Sequence, residues 1–238
     1  MKKSRILFTG GSGLLGSEFR KILPDIDYPS SKEFNVTDYH QMKQYVESHG
    51  CDLIIHAAAF TSPPLIDKDP LKALEINIVG TSNVVKLCME FDARLIYIST
   101  DYVFKGNKGN YKETDPVYPV NKYAWSKLGG ECAVRMYDKS LIVRTTFGPN
   151  IFPYSKAFTD QWTSRESVSV IAEKISRLID KKLTGVIHVA GKRKTVFEYA
   201  KSLDKTKGIE KLSISDVPFN VPADTSLNCD RYEEIIKR

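Results

Sequence analysis

At 238 residues the chain is long enough for one substantial domain, and 42% hydrophobic with 27% charged residues excludes a disordered or fibrous polypeptide. Four cysteines (Cys51, Cys88, Cys132, Cys229) stand far apart without a C-x-x-C pair, which excludes a metal knuckle or disulfide framework and fits a reducing cytoplasm. The net charge of +6 suits an anionic ligand, but the lysines are scattered with no aromatic-basic stripe, so nucleic acid is not an expected partner.

The lysine-led start, MKKSRILFTGGSGLLG, resembles a signal peptide only superficially. Its apolar run is short, broken by glycines and followed by Glu18 and Arg20, so it reads as part of the fold. No segment approaches the ~20 apolar residues that a membrane span needs. RILFTG (Arg5 to Gly10) predicts a buried strand, then a glycine turn and a helix through about Leu23, a short second strand near Ile26 to Pro29, and a helix near Tyr39 to His49. CDLIIHAAA (Cys51 to Ala59) is a continuous apolar run of the kind found in central parallel strands. A long helix from about Pro70 to Phe91 follows, with Leu71, Leu74, Ile78, Val85 and Leu87 as its expected buried face.

ARLIYIST predicts the next strand, followed by a helix around Tyr123, the strand SLIVRT, the helix VSVIAEKISRLIDKK and the strand GVIHVAG. Thr163 and Glu166 have the spacing of a capping box before that last helix. His56 and His188 end apolar strands with no acidic or cysteine cluster beside them, and His40 and His49 fall on a surface helix, so no metal site is expected. Repeated β-then-α implies a doubly wound parallel sheet of Rossmann-like α/β class, with helices on both faces. Ligands bind beyond the carboxyl ends of such strands.

TGGSGLLG puts Gly10, Gly13 and Gly16 between a strand and a helix, where backbone can approach a pyrophosphate at a helix N-terminus. At the end of the second strand, Ser30, Ser31 and Lys32 stand where an acid would hold a ribose 2′-hydroxyl, with Asp27 and Glu33 close by. Hydroxyls and a lysine suit a 2′-phosphate, so NADP(H) is favoured over NAD(H). Further on, NKYAWSKLGGE places Tyr123 and Lys127 one helical turn apart, with Cβ atoms about 6 Å from each other. A neighbouring ammonium is expected to lower the tyrosine pKa. Bringing it from 10 to ~7 asks for roughly 4 kcal/mol of differential stabilisation. Ser99 and Thr100 reach the end of the preceding strand, so a hydroxyl from one of them, Tyr123 and Lys127 would form a candidate catalytic trio.

Taken together, TGGSGLLG, NVTD (Asn35 to Asp38), HAAAFT (His56 to Thr61), INIVGTSN (Ile76 to Asn83), STDYVF, YAWSK, VRTTFG (Val143 to Gly148) and PADTSLNCDRYEEI resemble an extended short-chain dehydrogenase/reductase. Their order is most like the dTDP-4-dehydrorhamnose reductase family of nucleotide-sugar enzymes. The resemblance implies that Gly10, Ser12, Gly13, Leu14 and Gly16 bind the pyrophosphate, and that Asn35 and Val36 border the adenine. It also implies that Ala57, Ala58 and Ala59 line the cofactor groove, and that Lys127 bonds the nicotinamide ribose while Thr100, Tyr123 and Lys127 catalyse. Thr100, Asp101, Tyr102 and Phe147 would meet a nucleotide-sugar substrate, whose class comes from the resemblance alone. Asn77 is expected to be structural.

Asp101 is followed by Tyr102 where related 4,6-dehydratases carry Glu, which favours reduction over dehydration; an epimerase is a weaker fit. A regulatory, NADP-binding subunit without turnover, like the β subunit of methionine adenosyltransferase, is the non-enzyme alternative. One domain over 1–238 is expected, with a contracted substrate lobe from about 147–167 and 191–238. Tyr154 and Trp162 are candidate stacking residues there, and a homodimer or partner chain could complete the lobe.

Overall fold

The computed structural model describes residues 5–204, 206, 208–218 and 220–237. The lysine-led first four residues lie outside them. In chain order the first half runs β1 (Ile6–Thr9), α1 (Leu14–Ile22), α2 (Tyr39–His49), β2 (Leu53–His56), α3 (Pro63–Lys68), α4 (Pro70–Ala73), a π-helical turn (Leu74–Val79), α5 (Gly80–Glu90) and β3 (Arg94–Thr100). The second half runs α6 (Lys122–Val134), β4 (Ser140–Thr145), β5 (Phe147–Gly148), β6 (Lys156–Phe158), β7 (Trp162–Thr163), β8 (Glu166–Ser167), α7 (Val168–Ser176), β9 (Gly185–Val189), β10 (Lys194–Thr195), α8 (Val196–Leu203), β11 (Glu210–Leu212) and α9 (Asp230–Lys237). No helix among the described residues is long and apolar enough to cross a membrane.

The expected doubly wound sheet is present: five parallel strands in the order β1-β2-β3-β4-β9. Apolar side chains alternate between its faces. Phe8, Ile55, Ile96, Ile98 and Val143 meet α1, α7 and α9 on one side. Leu7, Ile54, Leu95 and Ile142 meet α2, α5 and α6 on the other. Each large apolar side chain buried this way contributes roughly 1.5–3 kcal/mol before conformational entropy is subtracted.

The expected second strand is reduced to one parallel bridge, Leu7 to Asp27, on the free side of β1. Asp27 N donates to Ile6 O and Phe8 N donates to Asp27 O, and among the described residues no further ladder pairing extends along the segment. That bridge still places the chain on one side of β1 and then on the other at β2, so the sheet order reverses at β1. Such a switch point opens a crevice at the strand's carboxyl end.

The expected long helix over Pro70 to Phe91 is broken into α4, the π turn and α5. The π turn adds a residue and rotates the buried stripe, so that Ala73 and Asn77 face inward. Leu71 and Leu74 are 65% and 47% exposed, against the expected buried face, whereas Val85 and Leu87 are buried as expected. The capping box expected at Thr163 and Glu166 is absent, because both residues lie in short strands. A box of that kind does start α8, where Thr195 Oγ1 accepts from Glu198 N and Glu198 Oε2 accepts from Thr195 N.

Beyond β4 the chain forms two-stranded pairs, β5 with β8, β7 with β10 and β6 with β11. The last two join 156–163 to 194–212 around a small core of Phe152, Ala157, Val196 and Tyr199. The C-terminal helix α9 returns to the main sheet, burying Tyr232 against it.

Candidate active site

Strands β1 to β4 end at one crevice of about 970 Å³, lined by the loop after β1, residues of the segment 28–36, Ala57–Ala59, the end of β3, α6 and the start of the smaller lobe. The glycine loop forms its floor. Gly10 has φ +79°, and a Cβ there would stand 2.8 Å from Ala58 N. At Gly16 a Cβ would stand 2.5 Å from Gly10 O, so the turn and α1 are closely packed only because the residue is glycine. Gly13, the N-cap of α1, makes no side-chain cap, and Gly10, Ser12, Gly13 and Leu14 all line the crevice at that helix end. Depth, bare backbone and an open helix N-terminus fit a dinucleotide.

At the adenosine end, Ser30, Ser31, Asn35 and Val36 line the crevice as expected, whereas Lys32 is not among the lining residues. Its carbonyl accepts from Gln41 Nε2. The cation at this end is instead Arg20, which the sequence reading missed. Its guanidinium lies 4.4 Å from the Tyr28 ring centroid, and Nε donates to Gly11 O at 3.2 Å. The signal was available in principle, as the first basic residue on the helix after the glycines. Glu33 also stands here, accepting from Ser30 Oγ at 2.7 Å and from Ser30 N. These bonds hold its carboxyl below the usual range, backbone contact first.

Thr100, Tyr123 and Lys127 come together. Thr100 closes β3, with its hydroxyl donating to Asp101 Oδ1 at 3.1 Å and accepting from Tyr102 N. Asn121 caps α6 by accepting from Ala124 N at 2.8 Å, which sets Tyr123 in the first turn and Lys127 one turn later. All three line the crevice.

The Tyr123 phenol is raised above its ordinary range rather than lowered. Burial is the main cause; a hydrogen bond with Thr100 opposes it, and Asp101 and Tyr102 add to the rise. Burial falls equally on the lysine, which is brought down to about 7 against a smaller opposing pull from Glu131.

The expected substrate residues divide. Tyr102 lines the crevice, with its ring edge-on to Tyr123 at 6.4 Å, and Phe147 lines it from β5. Asp101, 3% exposed, also lines the crevice, and its other carboxylate oxygen accepts from Thr225 Oγ1 at 2.7 Å. It therefore ties the C-terminal segment to the end of β3. Tyr154 lines the crevice; Trp162 lies outside it beneath Arg193, 3.7 Å from its ring. Arg165 is a crevice residue that the sequence reading missed, and its Nε is buried without a hydrogen-bond partner.

Behind the trio, Asn77 is structural as expected. It accepts from Phe60 N and donates to Phe60 O and Ser126 Oγ, joining the loop after β2 to α6. Glu131 is fully buried, accepting from Arg144 Nε and a terminal nitrogen at 3.0 and 2.8 Å and from Ser99 Oγ at 2.6 Å.

The model of the RmlD substrate binding domain family matches residues 4–175. A dTDP-4-dehydrorhamnose reductase of Aggregatibacter actinomycetemcomitans is 31% identical over 72% of this chain and 62% of its own length, so the match spans less than two thirds of that relative. Methionine adenosyltransferase 2 subunit beta of Pongo abelii is 25% identical over 97% of this chain and 82% of its own. Among solved structures, a dTDP-4-dehydrorhamnose reductase of Bacillus anthracis in complex with NADP superposes with a TM-score of 0.88 at 27% identity, over 100% of this chain and 98% of that one.

Proposed function

The chain belongs to the RmlD substrate binding domain family, and from that premise we propose that it is an NADPH-dependent reductase of a keto group on a nucleotide-activated deoxysugar, of the dTDP-4-dehydrorhamnose reductase kind. One observation carries the reading: Thr100, Tyr123 and Lys127 line the same crevice as an uncapped helix behind a glycine loop. Gly10, Ser12, Gly13 and Leu14 would hold the pyrophosphate, with Gly16, which does not line the crevice, packing the loop onto α1; Asn35 and Val36 would border the adenine, and Ala57–Ala59 would line the groove. Arg20 with Ser30 and Ser31 would take the 2′-phosphate, which favours NADPH. When bound, the reduced nicotinamide supplies the hydride.

Lys127 would hold the nicotinamide ribose. Thr100 would orient the substrate carbonyl, and Tyr123 would give its phenolic proton to the oxygen as the carbonyl is reduced. Burial keeps Tyr123 protonated, which is the form this direction of reaction requires. Tyr102 and Phe147 would contact the sugar nucleotide, and the lobe from 147–167 and the segment after 191 would cover it.

The test is NADPH consumption against a panel of nucleotide-linked 4-keto-6-deoxysugars. Tyr123→Phe is expected to lower kcat by about 100-fold or more while NADPH still binds. Full turnover in that variant would rule out the proton-transfer role. A second reading, a regulatory NADP-binding subunit, is favoured by the near end-to-end match to the methionine adenosyltransferase relative. Tight NADPH binding without turnover of any sugar on the panel would support it over the reductase.

A further inference from the structure

Lys127 is 3% exposed and has an aromatic partner. Its Nζ lies 4.1 Å from the centroid of the Tyr97 ring. Tyr97 is fully buried on β3, and its hydroxyl donates to the backbone carbonyl of Lys127 at 3.3 Å. One side chain therefore meets the lysine at its head and at its backbone. The hydroxyl has room under α6 because residue 130 is glycine: a Cβ there would stand 2.3 Å from Tyr97 Oη. The nearest carboxylate on the helix, Glu131, is engaged by Arg144 and Ser99.

We propose that Tyr97 is the positioning residue for Lys127: its ring face holds the ammonium toward the crevice. The consequence for cofactor binding rests on the role of Lys127 proposed above; the contact between Tyr97 and Lys127 does not. A ring face attracts a cation most strongly where water is excluded, and thereby favours the charged form that burial disfavours. Glu131 from α6 favours the charged form of Lys127, and His56 from β2 feels the Lys127 charge; Glu131 is itself held by Arg144 from β4, while Tyr123 on α6 faces Asp101 and Tyr102. The buried residues of the π turn and α5 add only Cys88 as a titratable group. His56 is neutral and packs against the same Tyr97 ring at 5.6 Å.

Three proteins decide it: the wild type, Tyr97→Phe and Tyr97→Leu. The Lys127 13Cε resonance is followed against pH without cofactor, and NADPH affinity is measured by fluorescence. Tyr97→Phe keeps the ring and is expected to hold the Lys127 midpoint within about 0.3 units and NADPH affinity within about two-fold. Tyr97→Leu removes it and is expected to move the midpoint down by about one unit and weaken NADPH about five-fold. Unchanged values in Tyr97→Leu would overturn the proposal, as would a Tyr97→Phe variant as impaired as Tyr97→Leu. If Tyr97→Leu does not fold, Tyr97→Met fills the volume without a ring and takes its place under the same criteria. A wild type that fails to bind NADPH would sink the proposed function, while the Lys127 midpoints would still judge Tyr97.

Discussion

Burial of Lys127 and Tyr123 displaces both groups, in opposite directions, and each displacement favours the neutral form. For Lys127 the folded value of about 7 lies below the ordinary 10.5. The associated stability is therefore fully present above 10.5 and is lost as pH falls through 7, since the unfolded chain binds the proton more readily. Lys127→Met removes that dependence. It is expected to raise the melting temperature at pH 6 and to raise it less at pH 9, as thermal unfolding at the two values will show. An equal rise at both would mean that burial does not disfavour the charged form of Lys127. The residue spacing in YAWSK identified the pair, but it could not reveal that burial would be the main cause of both shifts, because the depth of a helix face in the fold is not a local property.

The glycine loop and α1 act as one element. Gly16 lies within the first turn of the helix, and a Cβ there would meet Gly10 O and Gly11 Cα, both at 2.5 Å and both backbone. Gly16→Ala must therefore displace the loop from the helix end, and its NADPH dissociation constant is expected to rise about ten-fold or more, equivalent to about 1.4 kcal/mol. Titration of NADPH fluorescence, with circular dichroism to confirm folding, checks this; unchanged affinity would show that the loop does not cradle the pyrophosphate. This element was legible because strand, glycines and helix follow one another in sequence. The π turn was not. A 3.6-residue pattern places Leu71 and Leu74 inward, whereas the structure exposes them and turns Asn77 inward, where its amide is bonded to Phe60 and Ser126, segments remote in sequence. The capping box was misplaced for a related reason: Thr163 and Glu166 have the spacing, but pairing of β7 with β10 and of β8 with β5 claims both residues.

Across the whole molecule, the parallel sheet brings distant groups into one interior, including two histidines held neutral. His56 is brought down to about 3 by burial and then by Lys127, and His188 to about 4 by burial and then by Arg144. Both lie below the unfolded value of 6.5, so their stability is present above that pH and is lost as pH falls through 4 and then 3. Both rings are expected to show neutral 15N shifts at pH 5, and the urea midpoint is expected to fall between pH 6.5 and pH 4. A charged ring at pH 5 would contradict the burial of its strand. The sequence by itself determined the βα alternation, the glycine loop between β1 and α1, and the helical spacing of Tyr123 and Lys127, since each rests on short-range spacing and on apolar runs that read the same in any context. Tertiary structure alone decided that Arg20 rather than Lys32 lines the adenosine end, that Asp101 turns toward Thr225, and that Tyr97 lies against Lys127. Those are contacts between segments far apart in the chain, and only the crossing of strands and helices sets the distances between them.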